Sequence, residues 1–283
     1  MDFTSKQTLD FIRRAFEEDI KDGDHSSLAS IPNGTIGKAK LLFKDDGIVA
    51  GIELAQVILK ELDEHVTFEM FKKDGDAVKH GDIGFVVTGS VHAILAGERL
   101  LLNCMQRLSG IATQTHKLVQ MMGDSRSKLL DTRKTTPHLR FLEKWAVKVG
   151  GGHNHRIGLY DMIMLKDNHN DYAGGITNAV NKTKKYLADN NLDLKVEVET
   201  RNMAEVEEAL AVGGVDRIML DNFTPAEIVE ALKVIDGQVE TEASGGINAD
   251  NLAGYAATNV DYISIGALTH SIQSMDISLK ETT

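Results

Sequence analysis

Short apolar runs alternate with helix-like segments across the second half of this chain, and no other feature constrains its fold as much. The runs fall at 128–130, 162–165, 195–198, 217–220, 239–243 and 262–265. Helical patterns intervene at 176–188, 203–212, 225–234 and 249–257. Repeated β–α units at this spacing imply parallel strands with right-handed crossovers. A further strand near 146–151 makes seven. Charged or glycine-rich residues close nearly every run, which suits a barrel better than an open sheet.

The first hundred residues read differently. Helical spacing covers 7–18 (Leu9, Ile12, Ala15, Phe16), a strand fits 35–43 and a helix fits 52–62. Asp/Gly turn signals at 73–82 precede a strand at 83–87 and predict short antiparallel pairing. The stretch 92–122 reads as a long helix broken near Gly110 and is the candidate boundary between two domains. These glycine-rich turns resemble a carrier-domain hairpin, but no lysine stands at a hairpin tip, so the region reads as scaffold.

Composition excludes several classes. One cysteine in 283 residues forms no internal disulfide, so a stapled secreted fold is out. Cys104 sits in an apolar stretch and reads as core packing. No apolar run reaches membrane-spanning length, and residues 1–14 lack a signal-peptide layout, so a cytoplasmic location is expected. The net charge of −11 disfavours nucleic acid and acidic lipid. The charge is uneven, however. Between Arg126 and His169 nine Lys/Arg face four acids, a local +5. That segment is either a solvated basic face or a pocket for a polyanionic small molecule.

Barrel active sites lie at the C-terminal strand ends. The polar residues there are Asp131, Thr132, Arg133 and Lys134; Lys166; Glu199; Asp221; Ser244, Gly245 and Gly246; and Gly266. Arg133, Lys134, His155, Arg156 and Lys166 suit carboxylates and diphosphate, since Arg pairs with both bidentately. Glycines at Gly245, Gly246 and Gly266 either end strands or admit a phosphate to the backbone; their place on the last two strands favours phosphate. Glu199 and Asp221 serve acid–base chemistry, Mg²⁺ or sugar hydroxyls, or else a structural ion pair. His153 and His155, two residues apart with no cysteine nearby, make a poor zinc pair.

Ordered motifs extend these readings. Asp131-Thr132-Arg133-Lys134-Thr135-Thr136-Pro137, Glu143-Lys144, Gly150-Gly151-Gly152-His153-Asn154-His155-Arg156 and Lys166-Asp167-Asn168-His169 come first. Glu197-Val198-Glu199, Leu220-Asp221-Asn222-Phe223, Glu242-Ala243-Ser244-Gly245-Gly246-Ile247 and Ser264-Ile265-Gly266-Ala267-Leu268-Thr269-His270 follow. Together they resemble the quinolinate phosphoribosyltransferase family. Upstream pieces match as well: Glu18-Asp19 with Gly23-Asp24, Glu98-Arg99, Asn103 and the run 106–113. The tail Asp276-Ile277-Ser278-Leu279 completes the match.

The resemblance implies an N-terminal α/β open sandwich over 1–110, rejoined by 270–283, plus a seven-stranded α/β barrel over 111–269. It implies transfer of a phosphoribosyl group from 5-phosphoribosyl-1-pyrophosphate (PRPP) to quinolinate with loss of CO₂, in NAD biosynthesis. It also implies Mg²⁺ carried mainly by PRPP, and a homodimer, with further assembly in some members. By the same resemblance Arg133, His155, Arg156 and Arg99 hold the carboxylates, Arg99 reaching in from a partner subunit. Lys134 and Lys166 bridge substrate and pyrophosphate, with Thr132 among the binding residues. Glu199 and Asp221 engage ribose hydroxyls and the Mg²⁺ hydration shell; Ser244, Gly245, Gly246 and Gly266 take the 5-phosphate. A paralogue acting on another PRPP acceptor is the alternative; a catalytically silent scaffold has no need of unpaired cationic groups. Two positions depart from the family pattern: His138 stands where Gly is usual after Thr-Thr-Pro, and Trp145 stands where Tyr is common. Trp145 reads as a packing change, and His153 is given no role.

Overall fold

The computed structural model describes residues 1–282. The chain opens with α1 (Lys6–Asp19), α2 (His25–Ser30), β1 (Ile36–Phe43), β2 (Gly47–Ile48), α3 (Ile52–Lys60), β3 (Thr67–Met70), β4 (Ala77–Val78), β5 (Ile83–Ser90) and α4 (Val91–Met121). It continues through β6 (Lys128–Leu130), α5 (Arg140–Val149), β7 (Ile163–Leu165), α6 (Asp167–Ala173), α7 (Ile176–Asn190), β8 (Val196–Thr200) and α8 (Met203–Val212). It ends with β9 (Arg217–Asp221), α9 (Pro225–Ile235), β10 (Glu240–Ser244), α10 (Leu252–Ala256), β11 (Tyr262–Ser264), α11 (Ala267–His270) and β12 (Ile277–Glu281). Two compact units emerge: Met1–His116 with Thr136–Gly151 and Ser271–Thr283, and Lys117–Thr135 with Gly152–His270. Among the described residues no helix is long and apolar enough to cross a membrane.

The first unit is built on an antiparallel sheet in the order β12-β1-β5-β3. Ala39, Leu41 and Phe43 alternate inward along β1, the period-2 pattern that a half-buried strand requires. The C-terminal strand β12 pairs with β1 from Ala39↔Glu281 to Phe43↔Ile277. The Asp74 turn caps α3: its carboxylate accepts the N–H groups of Gly51 at 2.6 Å, Ile52 at 2.9 Å and Glu53 at 3.2 Å. Gly110 does not break α4, contrary to the sequence expectation. It lets another backbone approach, since a Cβ there would meet Gln273 carbonyl carbon at 3.1 Å. Trp145 packs edge-on against Phe3, ring centroids 5.0 Å apart. His138 adopts φ +63°, the left-handed region that explains the family's preference for Gly there.

The second unit carries a six-stranded parallel sheet, ordered β6-β11-β10-β9-β8-β7. The strand expected at 146–151 is not there. Residues 140–149 form α5, an amphipathic helix that buries Leu142, Ala146 and Val147. What lies beside β6 instead is a single parallel bridge, Leu130↔His153, closed by His153 N–H to Leu129 O at 2.8 Å. Glycine-rich 150–152 masked this: a one-residue bridge leaves no hydrophobic run to read. Helix α9 begins with a capping box, Thr224 with Glu227, and Pro225 in its first turn.

Candidate active site

All six strands run parallel, so their C-terminal ends meet on one side, and a cavity of about 690 Å³ opens there. Its lining includes Thr132, Arg133, Lys134, His155, Arg156, Lys166, Glu199, Asp221, Ser244, Gly245, Gly246 and Gly266. Twelve residues spread over 135 positions of sequence therefore share one opening. Arg99 is the exception. It lies exposed on α4, in the other compact unit, and is not among the lining residues.

The cationic side follows β6 and the His153 bridge. Arg133 and Arg156 are close enough that Arg156, already disfavoured as a cation by burial, is lowered further by Arg133. Two like charges held together call for an anion between them. Lys134 is seated from the loop after the neighbouring strand β11: Thr269 Oγ1 donates to its carbonyl at 2.8 Å. A Cβ on Gly266 would stand 2.9 Å from Lys134 Cδ, so glycine is what lets that lysine pass. Lys166 precedes α6, and its amide donates to His169 Nδ1 at 3.0 Å.

The acidic side comes from β8 and β9. Burial raises the Glu199 carboxyl, and Asp221 raises it further. Asp221 is raised by burial and by Asp167, while Lys166, Asn222 and Lys134 oppose the shift. Lys166 thus acts on both carboxylates, and Lys134 on Asp221, within the same cavity lining. After β10, Gly245 and Gly246 hold φ at +95° and +62°, giving a backbone turn with no side chain in the way.

The sequence reading missed part of the lining: Glu242, Ser264, Asn248 and His270. Glu242 and Ser264 lie two residues before Ser244 and Gly266, and inward positions on a barrel strand repeat every second residue. The signal was legible. Charges at every second position, Glu197 and Glu199 and again Glu240 and Glu242, are out of place in a strand buried on both faces.

Beneath the mouth, His155 Nε2 lies 2.9 Å from Glu197 and 3.3 Å from Glu242, and Arg217 donates to Glu242 at 3.0 Å. Burial lowers the basicity of His155, and its hydrogen bonds to Glu197 and Glu242 more than reverse this. Burial and the neighbouring Glu242 raise Glu197. Burial would raise Glu242 as well, but the contact with His155 and the Arg217 charge hold it below the ordinary carboxylate range.

Comparison with known proteins agrees with this geometry. The profile described as "Quinolinate phosphoribosyl transferase, N-terminal domain" matches residues 15–109 and its C-terminal counterpart matches 111–280. The chain is 45% identical over 286 residues to the chloroplastic nicotinate-nucleotide pyrophosphorylase [carboxylating] of Arabidopsis thaliana, covering 95% of this chain and 81% of that protein. It is 43% identical over 276 residues to the probable nicotinate-nucleotide pyrophosphorylase [carboxylating] of Bacillus subtilis, covering 98% and 94%. Among solved structures, NadC from Streptococcus pyogenes superposes with a TM-score of 0.94 at 40% identity over the full length of both chains. With both domain profiles matched in order across nearly its whole length, the chain belongs to the quinolinate phosphoribosyltransferase family.

Proposed function

We propose that this chain transfers the phosphoribosyl group of PRPP to quinolinate with decarboxylation, giving nicotinate mononucleotide, pyrophosphate and CO₂ in NAD biosynthesis. One observation carries the reading. A single cavity is lined by Arg133, Arg156, Lys134 and Lys166 together with Glu199 and Asp221, the Ser244–Gly246 turn and Gly266. A diacid and a phosphorylated sugar require that combination, and neither requires it alone.

Arg133 and Arg156 take the pyridine dicarboxylate, with His155 behind them. Lys134 and Lys166 reach both the acid and the departing pyrophosphate. The Gly245 and Gly246 amides and Ser244 receive the 5-phosphate. Glu199 and Asp221 face the ribose, where their charge favours the positive character that grows at C1 as pyrophosphate leaves. The ring nitrogen, once ribosylated, is cationic and draws electrons, which assists loss of the adjacent carboxyl group. No covalent enzyme intermediate is needed; positioning and electrostatics suffice.

The carboxylate oxygens of Glu199, Asp221 and Asp167 are the hard donors that Mg²⁺ prefers. Among the described residues the one cluster of three metal-type ligands is His155, Glu197 and Glu242, where Arg217 already donates to Glu242. The mouth therefore fits Mg²⁺ that arrives on PRPP phosphates, with Glu199 and Asp221 facing its water shell. When bound, Mg²⁺ neutralises the pyrophosphate as it departs. The same reading includes a homodimer in which Arg99 of one subunit serves its partner's cavity; the exposure of Arg99 outside its own cavity supports it. A cytoplasmic setting belongs to the proposal as well.

Turnover of carboxyl-labelled quinolinate with PRPP and Mg²⁺ tests the reading. Labelled CO₂ is expected in step with pyrophosphate. Pyrophosphate release with nicotinate, and none with quinolinate, would instead establish a paralogue for another acceptor.

A further inference from the structure

Two fully buried carboxylates, Glu197 and Glu242, belong to a cavity read as a diacid pocket, Glu242 in its lining and Glu197 against His155. Negative charge in that position gives no direct attraction to a dicarboxylate, so substrate binding alone does not account for them. Their contacts do. Glu197 and Glu242 both reach His155 Nε2, whose side chain is only 6% exposed. Arg217 donates to Glu242 at 3.0 Å and to Glu240 at 3.1 Å, and its guanidinium stacks 4.0 Å over the Tyr262 ring. The excess negative charge is thereby offset within the barrel interior.

We infer that Glu197 and Glu242 are positioning residues for the acidic substrate, acting through His155 to fix the backbone that presents Arg156. The inference rests on the proposed reading of the cavity. With Nε2 held between the carboxylates, Nδ1 accepts the Arg156 amide N–H at 2.7 Å. The ring therefore carries its proton on Nε2 in this arrangement. On the preceding side, buried Asp131 accepts the His155 amide at 2.9 Å and the Asn154 side chain at 2.5 Å. On the following side, Asp161 accepts the amides of Ile157 at 2.7 Å and Gly158 at 2.8 Å. Arg156 thus leaves the chain between two turns pinned by carboxylates, and its guanidinium donates to Met162 O at 3.1 Å. Glu197 and Glu242, 2.9 and 3.3 Å from Nε2, hold the His155 ring in the orientation that turns Nδ1 to the Arg156 amide.

Glu197→Met removes the carboxylate at similar volume, and Glu197→Gln keeps an acceptor. The Met variant is expected to raise KM for quinolinate by about tenfold, the scale of one lost charge-assisted hydrogen bond. KM for PRPP and kcat should stay within about twofold, and the Gln variant should recover most of the loss. In a His155→Ala background, Glu197→Met should add nothing, because both changes act through one ring. Equal rises in both KM values, or additivity with His155→Ala, would overturn the inference. Should the single variant not fold, Glu197→Met with Arg217→Met removes opposite charges together, and the same kinetic pattern is expected.

The ring also reports without turnover. ¹⁵N NMR of the wild-type protein should show His155 Nδ1 unprotonated and Nε2 protonated, a pattern that Glu197→Met should lose. An unchanged ring overturns the positioning role even if quinolinate is consumed. A changed ring in a protein that consumes no quinolinate overturns the substrate reading and upholds the positioning role.

Discussion

Gly245 and Asn222 meet backbone to backbone at the cavity rim: a Cβ on Gly245 would stand 2.8 Å from the Asn222 nitrogen. Gly245 holds φ at +95°, and Asn222 is itself left-handed at +59°. Asn222 donates its amide to Ser244 O at 2.8 Å and its side chain to Asp221 at 2.6 Å. A methyl at 245 therefore pushes on the residue that holds Asp221. Gly245→Ala is expected to cost roughly 1–3 kcal/mol of stability. KM for PRPP should rise by about tenfold or more, while KM for quinolinate changes little. Steady-state kinetics with each substrate varied, plus a denaturant melt, checks both parts. A variant with native PRPP affinity would separate this turn from the phosphate.

Arg133→Ala should leave the protein folded and lower kcat/KM for quinolinate by about a hundredfold, the cost of a lost bidentate pair. Near-native quinolinate kinetics in that variant would remove Arg133 from the carboxylate clamp. The repulsion from Arg133 that lowers Arg156 disappears in the same variant.

Glu199 and Asp221 are both raised above ordinary carboxyl values, chiefly by burial. A carboxyl with a raised folded pKa holds its proton longer in the folded state than in the unfolded one. Its ionisation therefore begins to cost stability as pH climbs past the ordinary carboxyl value, and the full cost stands above the raised one. Glu199→Gln should melt slightly higher than wild type at neutral pH, with the gain reduced by solvent screening. That gain should vanish in acid below the ordinary value, where wild type is also protonated. Over the same range kcat should fall by about tenfold or more, with KM less affected. A thermal melt series against pH, paired with kinetics, decides it. A neutral-pH melt below wild type would show that Glu199 supports the fold.

His138→Gly should stabilise the chain by up to about 1 kcal/mol. His138 is exposed at φ +63°, where a Cβ strains the backbone. Glycine removes that strain, although its freer unfolded chain offsets part of the gain. Urea unfolding of the two proteins compares them directly. A less stable Gly variant would mean that the His138 side chain contributes more than its backbone costs.

Much of this protein was readable from its residues in order. The apolar runs at 162–165 and 218–220 lie where strands form, because parallel strands buried on both faces need hydrophobic stretches, while 195–198 alternates valine with charge where a strand turns one face to the barrel interior. The polar residues that close those runs gave the cavity, since parallel strands must present their ends together. Positions decided by partners far along the chain were not readable. Gly110 looked like a helix break, yet it serves close approach to Gln273. The segment at 146–151 looked like a strand, yet its apolar residues fit the buried face of a helix, and the seventh position shrank to one bridge at His153. The set of His155, Glu197, Glu242 and Arg217 has no meaning in sequence order. Its four members span 88 positions, and a buried charge is tolerable only where its counter-charge is within a few ångströms, a distance that the folded barrel alone sets.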